Sequence, residues 1–399
     1  MRVKVGLFGL GDMLKFKHLG DNREKAIEEA SEKELPYSFK ANDIARLYHP
    51  YKQYLVIKDI IKENEDTKSF ILVRDKSKQK ELAPFKAGSY LSIYVHDKDN
   101  SLLSRTYSIV SSPKEVFDSN EGFYKITIKR VDNGALSNFM LDKATVGMKL
   151  ESSEPGGFLT YNSLRDSKNV IALAGGVGIT PFVSMAKAIV EGSEDFNLTI
   201  LYGVRTSKDI LYKDELLDLI NKSNNKVKVI YVFSDEKLDN EEHGFITSEL
   251  ISKYASKFKD NSNYSIFVAG PTLMIDNLRN NELPKLNLLP KYIRIENSPL
   301  YLDGDANVYN IKIITKGKEP LVIKVKGNET ILEALERNNV MIRSKCHLGG
   351  CGYCRSRLIK GEYASTKYLK LNEVDKKFNY IHPCCSYPRS DLEIEVFEY

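Results

Sequence analysis

The spacing of apolar positions changes from segment to segment along the chain, and each change marks an element. Residues 170–173 are apolar throughout, the pattern of a strand buried on both faces. Residues 198–202, 227–233 and 265–268 read as further, mostly apolar strands, each leading into a turn. Strands alternating with helices predict a parallel sheet with ligands gathered at the strands' carboxyl ends. Upstream, residues 124–131 read as a strand running into a glycine turn and a short helix. Downstream, residues 308–315 and 321–325 alternate apolar and polar side chains around Lys316-Gly317-Lys318, which predicts a hairpin. Thr330 then opens a helix reaching about Asn338, with Glu333 completing a capping-box signature. Residues 357–359 and 392–397 return to the same small sheet.

Residues 1–50 fit none of these patterns. Val3 to Gly11 looks like a strand entering a dinucleotide loop, but the required helix, second strand and acidic residue do not follow in register. A charged helix is expected at residues 21–34, which makes this segment a partly helical extension.

All five cysteines lie near the end of the chain. Cys346, Cys351 and Cys354 give C-x4-C-x2-C, with 29 residues between Cys354 and Cys384. This is the plant-type spacing for a [2Fe–2S] cluster. Three thiolates from one short loop must wrap the cluster, and Gly349, Gly350 and Gly352 let the backbone bend there. Either Cys384 or Cys385 can supply the fourth thiolate. Zinc fits less well, because zinc ribbons pair two C-x2-C knuckles. Disulfides fit poorly in a chain with no other cysteine and no evident signal peptide.

The ordering of residues 308–397 resembles plant-type ferredoxin domains, a small α+β ubiquitin-like fold. In that family the last ligand sits four residues before a proline. The resemblance therefore picks Cys384, ahead of Pro388, and leaves Cys385 as an extra thiol.

The middle of the chain resembles the ferredoxin–NADP reductase superfamily. Arg105-Thr106-Tyr107-Ser108 matches that family's R-x-Y-S flavin motif. The resemblance implies that Arg105 pairs with a flavin phosphate, Tyr107 packs on the isoalloxazine and Ser108 lies near N5. A guanidinium forks onto phosphate oxygens and an aromatic ring covers a flat cofactor, so the residue types suit those roles. Lys129 to Asn138 follows, with Gly134, Leu136 and Ser137 at a helix N-terminus whose amides suit phosphate. Pro155-Gly156-Gly157-Phe158 resembles the P-x-G-x-F that closes the family's flavin barrel.

Gly175-Gly176-Val177-Gly178-Ile179-Thr180-Pro181 is a strand–loop–helix phosphate cradle, and resembles the family's nicotinamide half. Gly270 and Pro271 follow the last of its strands. Arg205 is expected to meet a cofactor phosphate or ribose. Asp235, after a later strand, favours the ribose hydroxyls of NADH, whereas Arg205, Lys208 and Lys213 suit the extra phosphate of NADPH. Two departures stand out. Ala269 replaces the family's cysteine beside the nicotinamide, and Glu296-Asn297-Ser298 lacks the phenylalanine of E-x-F.

Composition narrows the picture. With 59 basic and 54 acidic residues the net charge is only +5, and no basic-aromatic stripe points to nucleic acid. No apolar run approaches the ~20 residues that span a bilayer. The expected architecture is multidomain: an extension (1–50), an antiparallel β-barrel flavin domain (51–162), an α/β parallel-sheet nucleotide domain (163–303) and the ferredoxin domain (304–399). The expected protein is a cytoplasmic oxidoreductase passing electrons from NADH or NADPH through FAD (FMN being the alternative) and a [2Fe–2S] cluster to a redox protein. Reverse transfer to NAD from a low-potential donor, or a cluster-based sensor without turnover, are the rival readings. Arg343, Lys345, Arg355 and Arg357 flank the cysteine loop, which predicts an acceptor with an acidic docking patch.

Overall fold

The computed structural model of the chain describes residues 7–29, 40–50, 52–96, 102–117, 121–132, 134–258, 264–296, 307–340, 342–344, 346, 349–366, 369 and 371–397. The segment up to Arg46 groups apart from the chain beyond it. Helices α1 (Leu7–Glu28) and α2 (Lys40–Tyr48) occupy this N-terminal part. The helix expected at residues 21–34 is thus corrected: it begins at Leu7 and ends at Glu28, and residues 30–34 lie outside the described residues. The strand-like stretch from Val3 falls partly outside them, and its remainder is helical. Leu, Met and Lys between residues 7 and 17 favour helix, outweighing the roughly 1 kcal/mol that each of Gly9 and Gly11 costs.

β1 (Gln53–Lys62), β2 (Thr67–Arg74), β3 (Tyr90–His96), β4 (Leu102–Ser108), β5 (Phe123–Lys129) and, after α3 (Ala135–Lys143), β6 (Lys149–Ser152) form one antiparallel sheet. Its order is β4-β3-β6-β1-β2-β5, and a bridge between Ile109 and Ile126 brings the two edges together into a nearly closed barrel. Alternation fills it: Leu55 and Ile57, Phe70 and Leu72, Leu91 and Ile93, and Tyr124 and Ile126 are fully buried. Leu136, Met140 and Leu141 of α3 join the same core.

The second module runs β7 (Asn169–Gly175), α4 (Thr180–Val190), β8 (Asn197–Val204), α5 (Lys213–Lys222), β9 (Val227–Phe233), β10 (Glu242–His243), α6 (Ser248–Ala255), β11 (Ser265–Ala269), α7 (Thr272–Asn277) and β12 (Ile293–Ile295). Its strands are parallel, in the order β10-β9-β8-β7-β11-β12. Central β7 explains the unbroken apolar run. Val170, Ala172 and Ala174 pack into one core, while Ile171 and Leu173 pack into the core on the opposite face.

An ion cluster around buried Lys187 joins these two modules. Lys187 on α4 lies 2.8 Å from Glu215 and 3.2 Å from Glu115, which belongs to the barrel's connecting loop. Burial opposes the charge on Lys187, but the two carboxylates more than offset it and hold the amine above the usual lysine range.

The third module contains β13 (Val308–Thr315), β14 (Leu321–Lys326), α8 (Ile331–Arg337), β15 (Ser356–Lys360), β16 (Tyr363–Ser365), α9 (Glu373–Lys377), β17 (Tyr380–Ile381), β18 (Ser386–Pro388) and β19 (Leu392–Val396). The sheet order is β14-β13-β19-β15-β17, with β16 and β18 forming a separate ribbon. Thr330 and Glu333 form the reciprocal capping box at the start of α8. Ile331, Ala334 and Leu335 of that helix pack on Ile311, Ile323 and Ile394 of the sheet.

Candidate active site

β4 carries Arg105, Thr106, Tyr107 and Ser108, and pairs along its length with β3. All four side chains are half-buried. Ser108 Oγ donates to Glu296 Oε1 at 2.9 Å. Glu296 follows β12, and its own amide donates to Val268 O on β11 at 2.8 Å. The barrel strand therefore faces the carboxyl ends of the parallel strands. Burial holds the Glu296 carboxyl above the usual carboxylate range, with the Ser108 hydrogen bond opposing.

At its other end β4 meets the third module. Arg105 donates to Ser104 O at 2.6 Å and pairs with Glu333, the residue that also caps α8. Ser104 Oγ donates to Glu336 Oε1 at 2.9 Å, and Tyr94 OH donates to Ser344 O at 3.2 Å. Tyr90, on β3 opposite Ser108, links the two ends. Burial first, then the nearby Cys346, Cys351 and Glu296, hold its hydroxyl above the usual tyrosine range.

The remaining flavin-motif residues divide. Gly134 is the N-cap of α3, with Ser137 Oγ 3.4 Å from its carbonyl and no side chain capping the first-turn amides. The Leu136 side chain is in the barrel core, leaving only its backbone for a ligand. Lys129 ends β5 and is 3.3 Å from Asp66 rather than beside Arg105. A guanidinium, a ring, a hydroxyl and a helix start on one side of the barrel fit a phosphate-bearing flat cofactor. Any phosphate bound at Arg105 would have to share it with Glu333.

Gly175, Gly176 and Gly178 connect β7 to α4. A methyl group at Gly178 would lie 2.4 Å from Ala269 O, so the turn lies against the end of β11 and no other residue fits there. Thr180 Oγ1 donates to Val177 O at 2.9 Å and Pro181 sits in the first turn of α4. Gly270 and Pro271 lead into α7. Arg205 and Asp235 stand at the ends of β8 and β9, exposed and joined at 3.0 Å. Ser234 and Arg205 hydrogen bonds hold the Asp235 carboxyl below its ordinary range. Ser207 donates its amide to Glu236 at 2.5 Å. Glycine amides at a helix start, with a carboxylate beyond them, fit a dinucleotide.

The cysteines converge. Cys354 Sγ and Cys384 Sγ are 3.4 Å apart, and Cys384 also contacts Cys346. Hydrogen bonding to Cys346, then burial, pushes the Cys351 thiol up, and Cys384 is raised in the same way by Cys346, Cys354 and Cys385. Cysteine thiols gathered in one place are a soft sulfur donor set, and with the C-x4-C-x2-C spacing they fit a [2Fe–2S] cluster. Cys385 Sγ lies 3.7 Å from Cys384 Sγ and packs beside Gly349, which has φ 73°. Of the basic residues around the loop, Arg343 is exposed, Arg355 is 2.5 Å from Asp375, and Arg357 is 3.8 Å from Glu395. Lys345 lies outside the described residues, as do Asn297 and Ser298.

Sequence reasoning missed Glu333 and Glu336 as partners of β4. It noted Glu296 only as part of an incomplete motif.

Three families match the chain in order. They are the oxidoreductase FAD-binding domain over residues 54–161, the oxidoreductase NAD-binding domain over 172–280 and the 2Fe-2S iron-sulfur cluster binding domain over 314–389. The chain is 25% identical to the NADH oxidoreductase HCR of Escherichia coli (strain K12) over 309 residues, covering 77% of this chain and 88% of that protein. It is 26% identical over 359 residues to the glycine betaine monooxygenase reductase subunit of Pseudomonas aeruginosa (strain UCBPP-PA14), covering 84% and 93%. Phthalate dioxygenase reductase, described as a modular structure for electron transfer from pyridine nucleotides to [2Fe–2S], shares the fold. It aligns at a TM-score of 0.62 with 23% identity, over 86% of this chain and 97% of that one.

Proposed function

We propose that the chain is a member of the ferredoxin–NADP reductase superfamily ending in a plant-type [2Fe–2S] ferredoxin domain, and that its residues divide the work as follows. It is a flavin and iron–sulfur oxidoreductase that passes electrons from NAD(P)H to a redox protein. FAD, when bound, takes a hydride from nicotinamide and gives up its electrons singly, and a [2Fe–2S] cluster carries them one at a time.

Our assignment gives Arg105 and the amides of Gly134, Leu136 and Ser137 the flavin phosphates, and Tyr107 the ring face. Lys129 contributes charge from the rim. Ser108, oriented by Glu296, meets the hydride-accepting nitrogen. Gly175, Gly176, Gly178, Thr180 and Pro181 cradle the nucleotide phosphates, with Gly270 and Pro271 beside the nicotinamide. Cys346, Cys351, Cys354 and Cys384 hold the cluster. The domains run 51–162, 163–303 and 304–399, after the extension 1–50. A cytoplasmic location, where NADH is drawn on, belongs to the same reading.

One observation carries this proposal. Strand β4 touches both other modules: Ser108 reaches Glu296 at the nucleotide end, and Ser104 reaches Glu336 on the ferredoxin helix. A hydride site and an electron exit thus lie along seven residues of one strand. Ser108→Ala should slow flavin bleaching by NADH roughly tenfold or more, with flavin content unchanged. Equal stopped-flow rates would remove Ser108 from the hydride site.

NADH is the preferred donor in this reading. Asp235 neutralises Arg205, which would otherwise greet a 2′-phosphate, and itself suits ribose hydroxyls. The names of the relatives point to an oxygenase component, or another redox enzyme, as the acceptor. Arg343 beside the cysteine loop supports an acceptor with an acidic patch, whose transfer rate falls as salt rises. A rate independent of salt would count against that patch.

A further inference from the structure

Two hydroxyls on the barrel wall face outward and are nonetheless buried. Ser69 on β2 and Thr127 on β5 sit opposite each other, while their neighbours Phe70, Ile126 and Ile128 fill the barrel core. Successive side chains of a strand point to opposite faces, so Ser69 and Thr127 point out of the barrel. They are only 0% and 4% exposed. Tyr212 of the nucleotide module closes over them: its hydroxyl lies 3.0 Å from Ser69 Oγ and also meets Thr127 Oγ1. Ser69 Oγ lies 2.8 Å from Thr127 Oγ1 and donates to Glu63 Oε1 at 2.6 Å, so the other two hydroxyls supply the remaining protons. The Lys125 ammonium stands over the Tyr212 ring, 4.4 Å from its centre. Tyr212 reaches this place with φ 59° and ψ 28°, a left-handed backbone that a bulky side chain adopts only where its surroundings enforce it.

The same contact continues into the helix that carries the glycine cradle. Tyr212 is the N-cap of α5, and Glu215 in the first turn of that helix pairs with Lys187 of α4. Thr180, Ser184 and Lys187 are spaced to share one face of α4, and Thr180 ends the cradle. Ser184 Oγ donates to Ser111 O at 2.8 Å, and Lys187 reaches Glu115. Ser111 closely follows Ser108 in the chain, and its Oγ accepts the Lys125 amide at 3.1 Å. The cradle helix is thereby tied to the stretch leaving Ser108, and the start of α5 is keyed into the barrel beside it. None of these linking side chains belongs to the flavin or nucleotide sets assigned above.

We infer that Tyr212 and Lys187 are positioning residues for hydride transfer: they lock the nucleotide module onto the barrel so that the glycine cradle at the start of α4 is held in register with Ser108 on β4. The inference rests on the reading above, in which hydride crosses from nucleotide to flavin at Ser108. It adds that the alignment of the two sites is set from outside both of them. Neither residue touches a cofactor, so their loss leaves each site intact and spoils the fit between them. Transfer between two bound rings is steeply sensitive to such a misfit.

The test uses the full-length holoprotein in anaerobic stopped flow with NADH. Tyr212→Phe keeps the ring and the backbone and removes only the hydroxyl contacts; Lys187→Met keeps the length of the side chain and removes its charge. Each should lower the limiting rate of flavin bleaching about tenfold or more, with the half-saturating NADH concentration and the flavin content unchanged. The long-wavelength charge-transfer absorbance that NAD produces on the reduced flavin should weaken in parallel, because it reports the stacking of the two rings at equilibrium. The cluster EPR signal after dithionite should stay at the wild-type level. A wild-type limiting rate and charge-transfer band in Tyr212→Phe overturn the inference, whatever its melting temperature, by leaving the network a stabilising role alone. A raised half-saturating concentration with an unchanged limiting rate overturns it too, by making these residues part of nucleotide binding. If Lys187→Met does not fold, Tyr212→Phe decides by itself. A wild-type protein whose flavin NADH does not bleach sinks the underlying reading instead, and shows it before any variant is made.

Discussion

Ser104 and Glu336 are 232 residues apart in the chain, and their side chains meet at 2.9 Å where the flavin barrel touches the ferredoxin helix. Burial pushes the Glu336 carboxyl up to about 8 from its ordinary 4.5. The folded protein keeps a proton that the unfolded chain releases between those values. Stability from this group is therefore full at acid pH, falls as pH rises from about 4.5 to about 8, and levels off above that. Glu336→Gln keeps the shape and removes the titration. Its melting temperature should vary less steeply with pH than that of the wild type and exceed it at mildly alkaline pH. Parallel curves would contradict the buried, neutral carboxyl.

Arg105 serves two neighbours, and its loss should be felt by both. A charge-assisted contact is worth roughly 1.5–3 kcal/mol, so Arg105→Ala should weaken FAD binding by one to two orders of magnitude. Glu333→Gln should leave FAD bound as tightly or more so, since it releases Arg105 from its competitor. Flavin-to-protein ratios after dialysis measure both. Full flavin in Arg105→Ala would remove it from the phosphate site.

These contacts mark where sequence reading stopped. The run of residues 170–173 was legible because a strand buried on both faces has no polar side to alternate with. The Thr330–Glu333 capping box was legible because both partners lie within one helical turn. Glu333's second partner, Arg105, is 228 residues away, and Glu296 is 188 residues from Ser108, so only the packing of modules brings them together. The five-residue α9 and three-residue β16 and β18 are too short for a period to register. Near the N-terminus, glycines at 9 and 11 imitated a dinucleotide loop inside what is helix. Leu136 matched a cofactor motif by position, yet its side chain is core.

The two adjacent cysteines should separate cleanly. Cys384→Ser should lose the cluster, because Cys384 is the one in contact with both Cys346 and Cys354. Cys385→Ser should keep it. Iron and sulfide analysis with visible absorbance reads the outcome, and a cluster retained in Cys384→Ser but lost in Cys385→Ser would reverse the assignment.

Nucleotide choice should follow the Arg205–Asp235 pair. Asp235→Ala releases the guanidinium from its ion pair and removes the ribose acceptor, so the ratio of kcat/KM for NADPH over NADH should rise about tenfold or more. An unchanged ratio would place discrimination elsewhere, with Lys208 and Lys213 the next residues to substitute.

The central claim is that one polypeptide carries electrons from nucleotide to flavin to cluster, with β4 in contact with both other modules. Anaerobic titration of the purified holoprotein with NADH, followed by visible absorbance and low-temperature EPR, tests it most directly. The account predicts flavin bleaching together with a rhombic [2Fe–2S] signal. Bleaching without that signal, in protein shown by analysis to contain iron and sulfide, would contradict it.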